Sequence, residues 1–151
     1  MPTRTFSLSS VAFAEGSAIP RRYTCDGADT SPALVWSGVP AGTATLALVV
    51  DDPDAGGFVH WVAWGIDPTG SGLPAAVPHS ATDPAQGRNG FGRIGYGGPC
   101  PPGGTHRYVF RLLALDAAPH LTGVRSAADL LAASEGHILA EARLTGTYRR
   151  G

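Results

Sequence analysis

Glycine and proline punctuate this 151-residue chain from end to end, 21 of one and 13 of the other, with no period between them. Gly frees the backbone, whereas Pro fixes φ and removes a hydrogen-bond donor, so residues scattered in this way interrupt long helices and favour short strands joined by turns. An all-helical bundle is disfavoured and a mostly β fold is expected. Hydrophobic residues make up 43% of the chain and charged residues 15%, a composition that supports one hydrophobic core, so residues 1–151 are read as a single domain.

Charge narrows the function. The formal net charge of -1 provides no long-range attraction for nucleic acid or an anionic membrane, so an anion site in this chain has to be local. All 11 basic residues are Arg, which rules out a P-loop lysine, a Schiff-base lysine and a Ser-Lys dyad. No apolar run reaches signal-peptide or membrane-span length, and the expectation is a cytoplasmic protein with no integral membrane contact. Cys25 and Cys100 are the two cysteines. Reduced thiols are usual in such a compartment, while their turn-like, Gly-rich surroundings leave pairing open.

Alternating or apolar runs rich in β-branched, aromatic and Leu residues predict strands at Thr3 to Leu8, Ala33 to Trp36, Thr45 to Asp52, Val59 to Ile66 and His106 to Leu115. One helix starts at Ser126, with Asp129 completing a capping box. Its apolar residues are Leu130, Leu131, Ile138 and Leu139, with Gly136 as a point of division. Ala142 to Tyr148 alternates again as a final strand, followed by a solvated Arg149-Arg150 tail. Eight glycines in the 18 positions from Gly87 to Gly104 form a long shaped loop; such lengths are functional or disordered, and Phe91 and Tyr96 argue for packing and so for function.

Strict alternation groups Leu46, Leu48, Val50 and Asp52 on one face, His60, Val62, Trp64 and Ile66 on another, and His106, Tyr108, Phe110 and Leu112 on a third. Each face is apolar with its polar members at one end. The short link Pro53 to Phe58 makes the first two strands an antiparallel pair, which brings Asp52 beside His60 and turns Trp61 away from it into the core. Asp52, His60, His106 and Tyr108 then cluster at the rim of a common core, beneath the Gly97 to Thr105 loop. Such a cluster suits a phosphate-like anion, because Asp52 favours a charged imidazole, and imidazole, the Tyr108 hydroxyl and loop amides can donate to oxygen. Asp52 also repels a dianion, so a guest that keeps a proton is preferred. Asp51 and Asp54 are read as turn residues, and Asp29, Asp83, His79, His120 and His137 as surface or capping residues.

The segments DDPDAGGFVHW (51–61), GYGGPCPPGG (95–104) and HRYVFRLLALD (106–116) closely resemble the phosphatidylethanolamine-binding protein family, which includes the Raf kinase inhibitor proteins. YTCDGADTSPALVWSGVP (23–40) and EGHILAEARLTGTYRR (135–150) resemble its bacterial and archaeal YbhB/YbcL-like branch. The resemblance implies a two-sheet Greek-key β fold with a C-terminal helical segment and a final strand. It also implies a pocket for phosphate, acetate or phospholipid head groups at Asp52, His60, Gly98, Pro99, His106 and Tyr108. Some relatives carry cysteines at both positions, which implies that Cys25 and Cys100 lie close together beside the pocket. Where the family usually continues DPDA with proline, this chain has Gly56, which frees the rim at that edge.

The leading functional expectation is a regulatory protein, not an enzyme, that binds a phosphate-like small anion, a phospholipid head group or a phosphorylated side chain, as a monomer or homodimer and without a cofactor. An inhibitor of a serine protease or kinase acting through surface loops is the alternative. A metal-dependent hydrolase using Asp52, Asp54, His60 and His106 is third, in a chain without HExxH or GxSxG.

Overall fold

The computed structural model describes residues 5–123 and 125–150. Its strands are β1 (Ser7–Ser9), β2 (Leu34–Ser37), β3 (Thr45–Asp52), β4 (Phe58–Ile66), β5 (Gly72–Leu73), β6 (Ala85–Gln86), β7 (Gly104–Leu115) and β8 (Ile138–Arg150), with one α-helix among the described residues, α1 (Ala127–Ser134), before the last. Two antiparallel sheets result, a small one in the order β1-β2-β5 and a large one in the order β6-β4-β3-β7-β8. β3 and β4 form a hairpin, and β7 returns after a long excursion to lie against the other side of β3, the connection that marks a Greek key.

The large sheet is covered on both faces. Leu8, Leu34 and Trp36 of the small sheet pack with Leu46, Leu48, Val50, Trp61, Tyr108, Phe110 and Leu112 in one core. On the other face, Ala127 and Leu130 of α1 pack with Ala47, Val49, Val62, Trp64, Leu113 and Leu115. This double coverage explains why β3 reads Leu-Ala-Leu-Val-Val without the polar alternate positions of a half-exposed strand.

Several expectations change. The first strand is realised as Ser7–Ser9, while Thr3 and Arg4 lie outside the described residues. The capping box forms as expected, with Ser126 Oγ accepting from the Asp129 amide and Asp129 from the Ser126 amide. The helix nevertheless stops at Ser134, and Gly136 adopts φ +81. Ile138 and Leu139, expected on the helix, begin β8 instead, because pairing with β7 outweighs an apolar spacing that also suits a helix. Arg149 and Arg150 are exposed as expected but belong to that strand, and Arg150 lies 3.0 Å from Asp26, so they are not a tail beyond the sheet. β5 and β6, two residues each, are too short to show a period.

Candidate functional site

The polar end of the inner core depends on irregular pairing of β4. Val50 pairs with Trp61 but Asp51 pairs with Val59, so one step on β3 matches two on β4 and His60 is the extra residue of a β-bulge. A second irregularity separates Leu46–Ile66 from Leu48–Ala63 and contains Gly65 at φ +70. Strict alternation would leave His60 with Val62 and Trp64 on the α1 side. The first bulge instead turns it to the face of Asp52, and Trp61 joins that face too, contrary to the expectation that they point apart.

A cavity of about 210 Å³ opens at this end, lined by Asp52, Ala55, Phe58, His60, Cys100, Pro101, Pro102, His106 and Tyr108. Asp52 accepts twice. Its Oδ2 takes a hydrogen bond from His106 Nδ1 at 2.6 Å, and its Oδ1 takes one from the Asp54 amide at 2.8 Å. His60 donates from Nδ1 to the Gly97 carbonyl at 2.7 Å and its own carbonyl accepts from the Gly97 amide at 2.8 Å, which anchors the ring to the glycine-rich loop. The His60 ring lies within 5.1–5.6 Å of the Phe58, Phe91 and Tyr108 rings, centroid to centroid. Tyr108 is buried, and its hydroxyl has no hydrogen-bond partner among the described residues.

Burial and charge act on His60 in opposite directions. Burial pushes the His60 imidazole toward its neutral form more strongly than the Gly97 carbonyl and the Asp52 charge push it back. The carboxylate therefore fails to make His60 the charged imidazole, and the imidazole it touches is His106. Burial first, and Asp52 second, hold the Tyr108 phenol well above its ordinary range, so it remains a hydroxyl able to donate.

Of the six residues assigned from the sequence, Asp52, His60, His106 and Tyr108 share the cavity wall, whereas Gly98 and Pro99 do not line it. The Gly98 amide donates to Asp29 Oδ1 at 2.7 Å and the Pro99 carbonyl accepts from the Cys25 amide, so this stretch braces the loop from behind. The loop amides of Gly97 and Gly98, expected as ligand donors, are both engaged by the protein. Asp29, read as a surface residue, thus positions the loop. A side chain at Gly98 would lie 2.3 Å from the Tyr23 carbonyl oxygen, which is why glycine stands there.

Cys25 and Cys100 form a disulfide, which ties the same two segments together beside the cavity and leaves Cys100 unable to act as a thiolate nucleophile. Asp54, a ligand in the metal-hydrolase alternative, instead receives bonds from the Arg107 amide and guanidinium, which hold its carboxyl down at about 2. Asp51 is not a turn residue but pairs with Arg111 at 2.6 Å. Among the described residues no group of three or more His, Cys, Asp or Glu side chains is arranged to hold a metal ion. Gly56 takes φ +66 and Gly57 φ +82, a turn conformation that proline cannot adopt at position 56.

Phe58, Phe91, Pro101 and Pro102 were not assigned to the site from the sequence; a run of Gly, Pro and aromatic residues says that a loop packs, not what it packs upon. A larger concavity of about 480 Å³, bordered by Trp64, His79, Thr82 and Leu121, gathers no carboxylate. Its Gln86 amide is engaged by Trp61, Pro78 and Ala81, so chemistry, not size, points to the smaller cavity.

A Greek-key β protein with two sheets and a buried carboxylate–imidazole pair at the mouth of its inner core is the class that fold and site define. The phosphatidylethanolamine-binding protein family model matches residues 9–149, and the chain belongs to that family. It is 50% identical over 150 residues to a UPF0098 protein of Methanothermobacter thermautotrophicus, covering 96% of this chain and 99% of that one. The crystal structure of Escherichia coli YbcL, described as a member of the mammalian family, superposes with a TM-score of 0.88 at 33% identity, covering 97% of this chain and 99% of its own. A Chlamydia trachomatis homologue, CT736, gives a TM-score of 0.89 at 38% identity, covering 97% and 98%. A Mycobacterium tuberculosis protein provisionally named lipoprotein LppC is 46% identical, covering 94% of this chain and 71% of that protein. Among the described residues no helix is long and apolar enough to cross a membrane.

Proposed function

We propose that the protein is a binding protein, not an enzyme, and that its ligand is a small phosphate-like anion held between Asp52–His106 and His60–Tyr108. The observation that carries this reading is the buried Tyr108 hydroxyl, unpartnered among the described residues, on the wall of a cavity that also holds two imidazoles. A buried donor without a partner is costly, and a ligand oxygen would supply one. Neither a Ser or Thr side chain nor a free thiol lines the cavity, so a serine- or cysteine-type nucleophile is not among its lining residues. Titration calorimetry with inorganic phosphate and phosphoethanolamine tests the reading. Saturable heat that is lost in His106→Ala is expected; no heat in the wild type, or unchanged binding in the variant, overturns it.

The disulfide favours a compartment in which thiols are oxidised, as does kinship with a relative named for lipid attachment. Alkylation of freshly lysed cells decides this point. Blocking of both cysteines without prior reduction returns the protein to the cytoplasm that its sequence suggests.

A further inference from the structure

We propose that the uncovered stretch of the β8 edge pairs with the same stretch of a second copy, antiparallel and two-fold symmetric about Ala142, so that Glu141 of each copy stands opposite Arg143 of the other.

β8 ends the large sheet on one side, and its backbone groups that point away from β7 are covered along only part of its length. The Thr145 amide donates to Glu15 Oε2 at 2.8 Å and the Thr145 carbonyl accepts from the Gly16 amide at 2.7 Å. Thr147 is held on the same side by the Ser17 carbonyl and the Ile19 amide. β8 keeps regular register with β7 from Ala140 to Arg150, so alternation points the N–H and C=O of Glu141 and Arg143 to that side as well. None of these groups has a partner there among the described residues. Next to them, Ile138 and Leu139 are each 44% exposed. A row of unpaired edge groups is a template for another strand.

The side chains favour a second copy as that strand. Glu141 and Arg143 are exposed on the outer face, while Ala142 between them turns into the inner core. Charges of one sign along an edge repel a second copy, whereas opposite signs at alternate positions complement themselves. The sign pattern also selects the register. An axis through Glu141 sets Glu against Glu; an axis through Arg143 sets Arg against Arg and brings Glu141 to the Thr145 position that Glu15 and Gly16 already occupy. Like charges directly opposite destabilise a strand pair and opposite charges stabilise it. About Ala142, each Glu141 meets an Arg143, and each such pair exchanges both of its backbone hydrogen bonds. Within one copy Arg143 Nε already donates to Glu141 Oε2 at 2.6 Å, and the other N–H groups of the guanidinium remain for the partner's Glu141. Leu139 then comes opposite the partner's Thr145, where the covering segment ends the ladder and receives the exposed Ile138 and Leu139 side chains. A patch that pairs with itself in this way is the isologous contact of a two-fold dimer. His106 of the cavity pairs with Tyr148, toward the other end of β8, so the dimer joins the two large sheets without using the cavity strand ends.

Sedimentation velocity of the full chain at rising concentration tests the pairing. A ladder this short belongs at the weak end of interface sizes, so the expected result is a reversible monomer–dimer equilibrium that shifts to dimer with concentration and back to monomer with added salt. Glu141→Arg and Arg143→Glu each set like charges across the axis and should weaken the dimer at least about tenfold. Combining the two exchanges restores opposite signs in the same register and should return the affinity to within about threefold of the wild type, which also shows that the altered strand still folds. Hydrogen exchange of the wild type needs no variant: the Glu141 and Arg143 amides should gain protection as the concentration rises. A wild type that stays monomeric throughout overturns pairing with a second copy and gives the edge to an extended segment of another protein. A dimer that ignores the single charge reversals, that the combined exchange fails to restore, or that leaves those two amides unprotected uses another surface and overturns the assignment.

Discussion

Asp52 and His106 meet side chain to side chain across neighbouring strands, Oδ2 to Nδ1 at 2.6 Å, with the carboxylate almost wholly buried. The bond commits Nδ1 of the imidazole to the protein, and Nε2 has no hydrogen-bond partner among the described residues. Asp52→Asn removes the charge while preserving shape, and an amide cannot serve both the His106 and Asp54 donors equally well. The variant should lose about 1–3 kcal/mol of stability, and its phosphate affinity should fall at least about tenfold, read by denaturant unfolding and calorimetry. Retention of both would remove Asp52 from the site.

His60 makes stability depend on pH. Its folded-state pKa lies below the ordinary 6.5, so between those two values the unfolded chain binds more protons and stability rises with pH. The contribution is complete above about 6.5 and declines as the pH falls below it toward the folded-state value. Unfolding curves from pH 7.5 to 5 should show this acid-side loss in the wild type and a smaller one in His60→Gln. Equal slopes in the two proteins would contradict the buried, neutral assignment.

The disulfide spans 75 residues. Closing a loop of that length stabilises a fold by about 4 kcal/mol in the chain-entropy model. The Cys25→Ser, Cys100→Ser double variant should therefore melt roughly 8–16 °C lower by scanning calorimetry. A melting temperature within a degree or two of the wild type would mean that the Asp29–Gly98 and Cys25–Pro99 hydrogen bonds suffice to hold the loop.

Leu130 of α1 is fully buried against the outer face of the large sheet. Leu130→Ala should cost about 2–5 kcal/mol and leave phosphate affinity unaltered, because the site lies on the inner face. Affinity that falls with stability would show the two faces to be coupled.

Installing the family's usual proline at Gly56 tests the turn that links Asp52 to Phe58. Proline cannot reach φ +66, so Gly56→Pro should destabilise by more than about 1 kcal/mol and weaken binding by displacing the Asp54 amide from Asp52. A neutral or stabilising result would show that the turn can adopt a conformation with negative φ at position 56.

Much of this architecture is legible locally. β3 was read with its true bounds, β7 was missed only at Gly104 and Thr105, and the capping box placed the start of α1 correctly. Alternation along β3 and β7 put Asp52, His106 and Tyr108 on inward faces because β3 and β7 pair in unbroken register up to Asp51–Val109 and β7 continues in regular register with β8 through Tyr108 and His106. The same reasoning fails on β4: a bulge is an event between two strands, and nothing within Phe58 to Ile66 announces that His60 is the unpaired residue. Reading His60 beside Asp52 reached the right neighbourhood by a parity that the structure reverses.

The sequence alone determined the class of fold, the residues proposed for the site and the strands that carry most of them, since these follow from side-chain type and period. Only the tertiary structure decided which way His60 faces, that Gly98, Pro99 and Asp29 brace the loop instead of lining the cavity, that Ile138 and Leu139 belong to a strand, and that the two cysteines join. Each of these is settled by a partner distant along the chain, and pairing between distant segments leaves no period in either one.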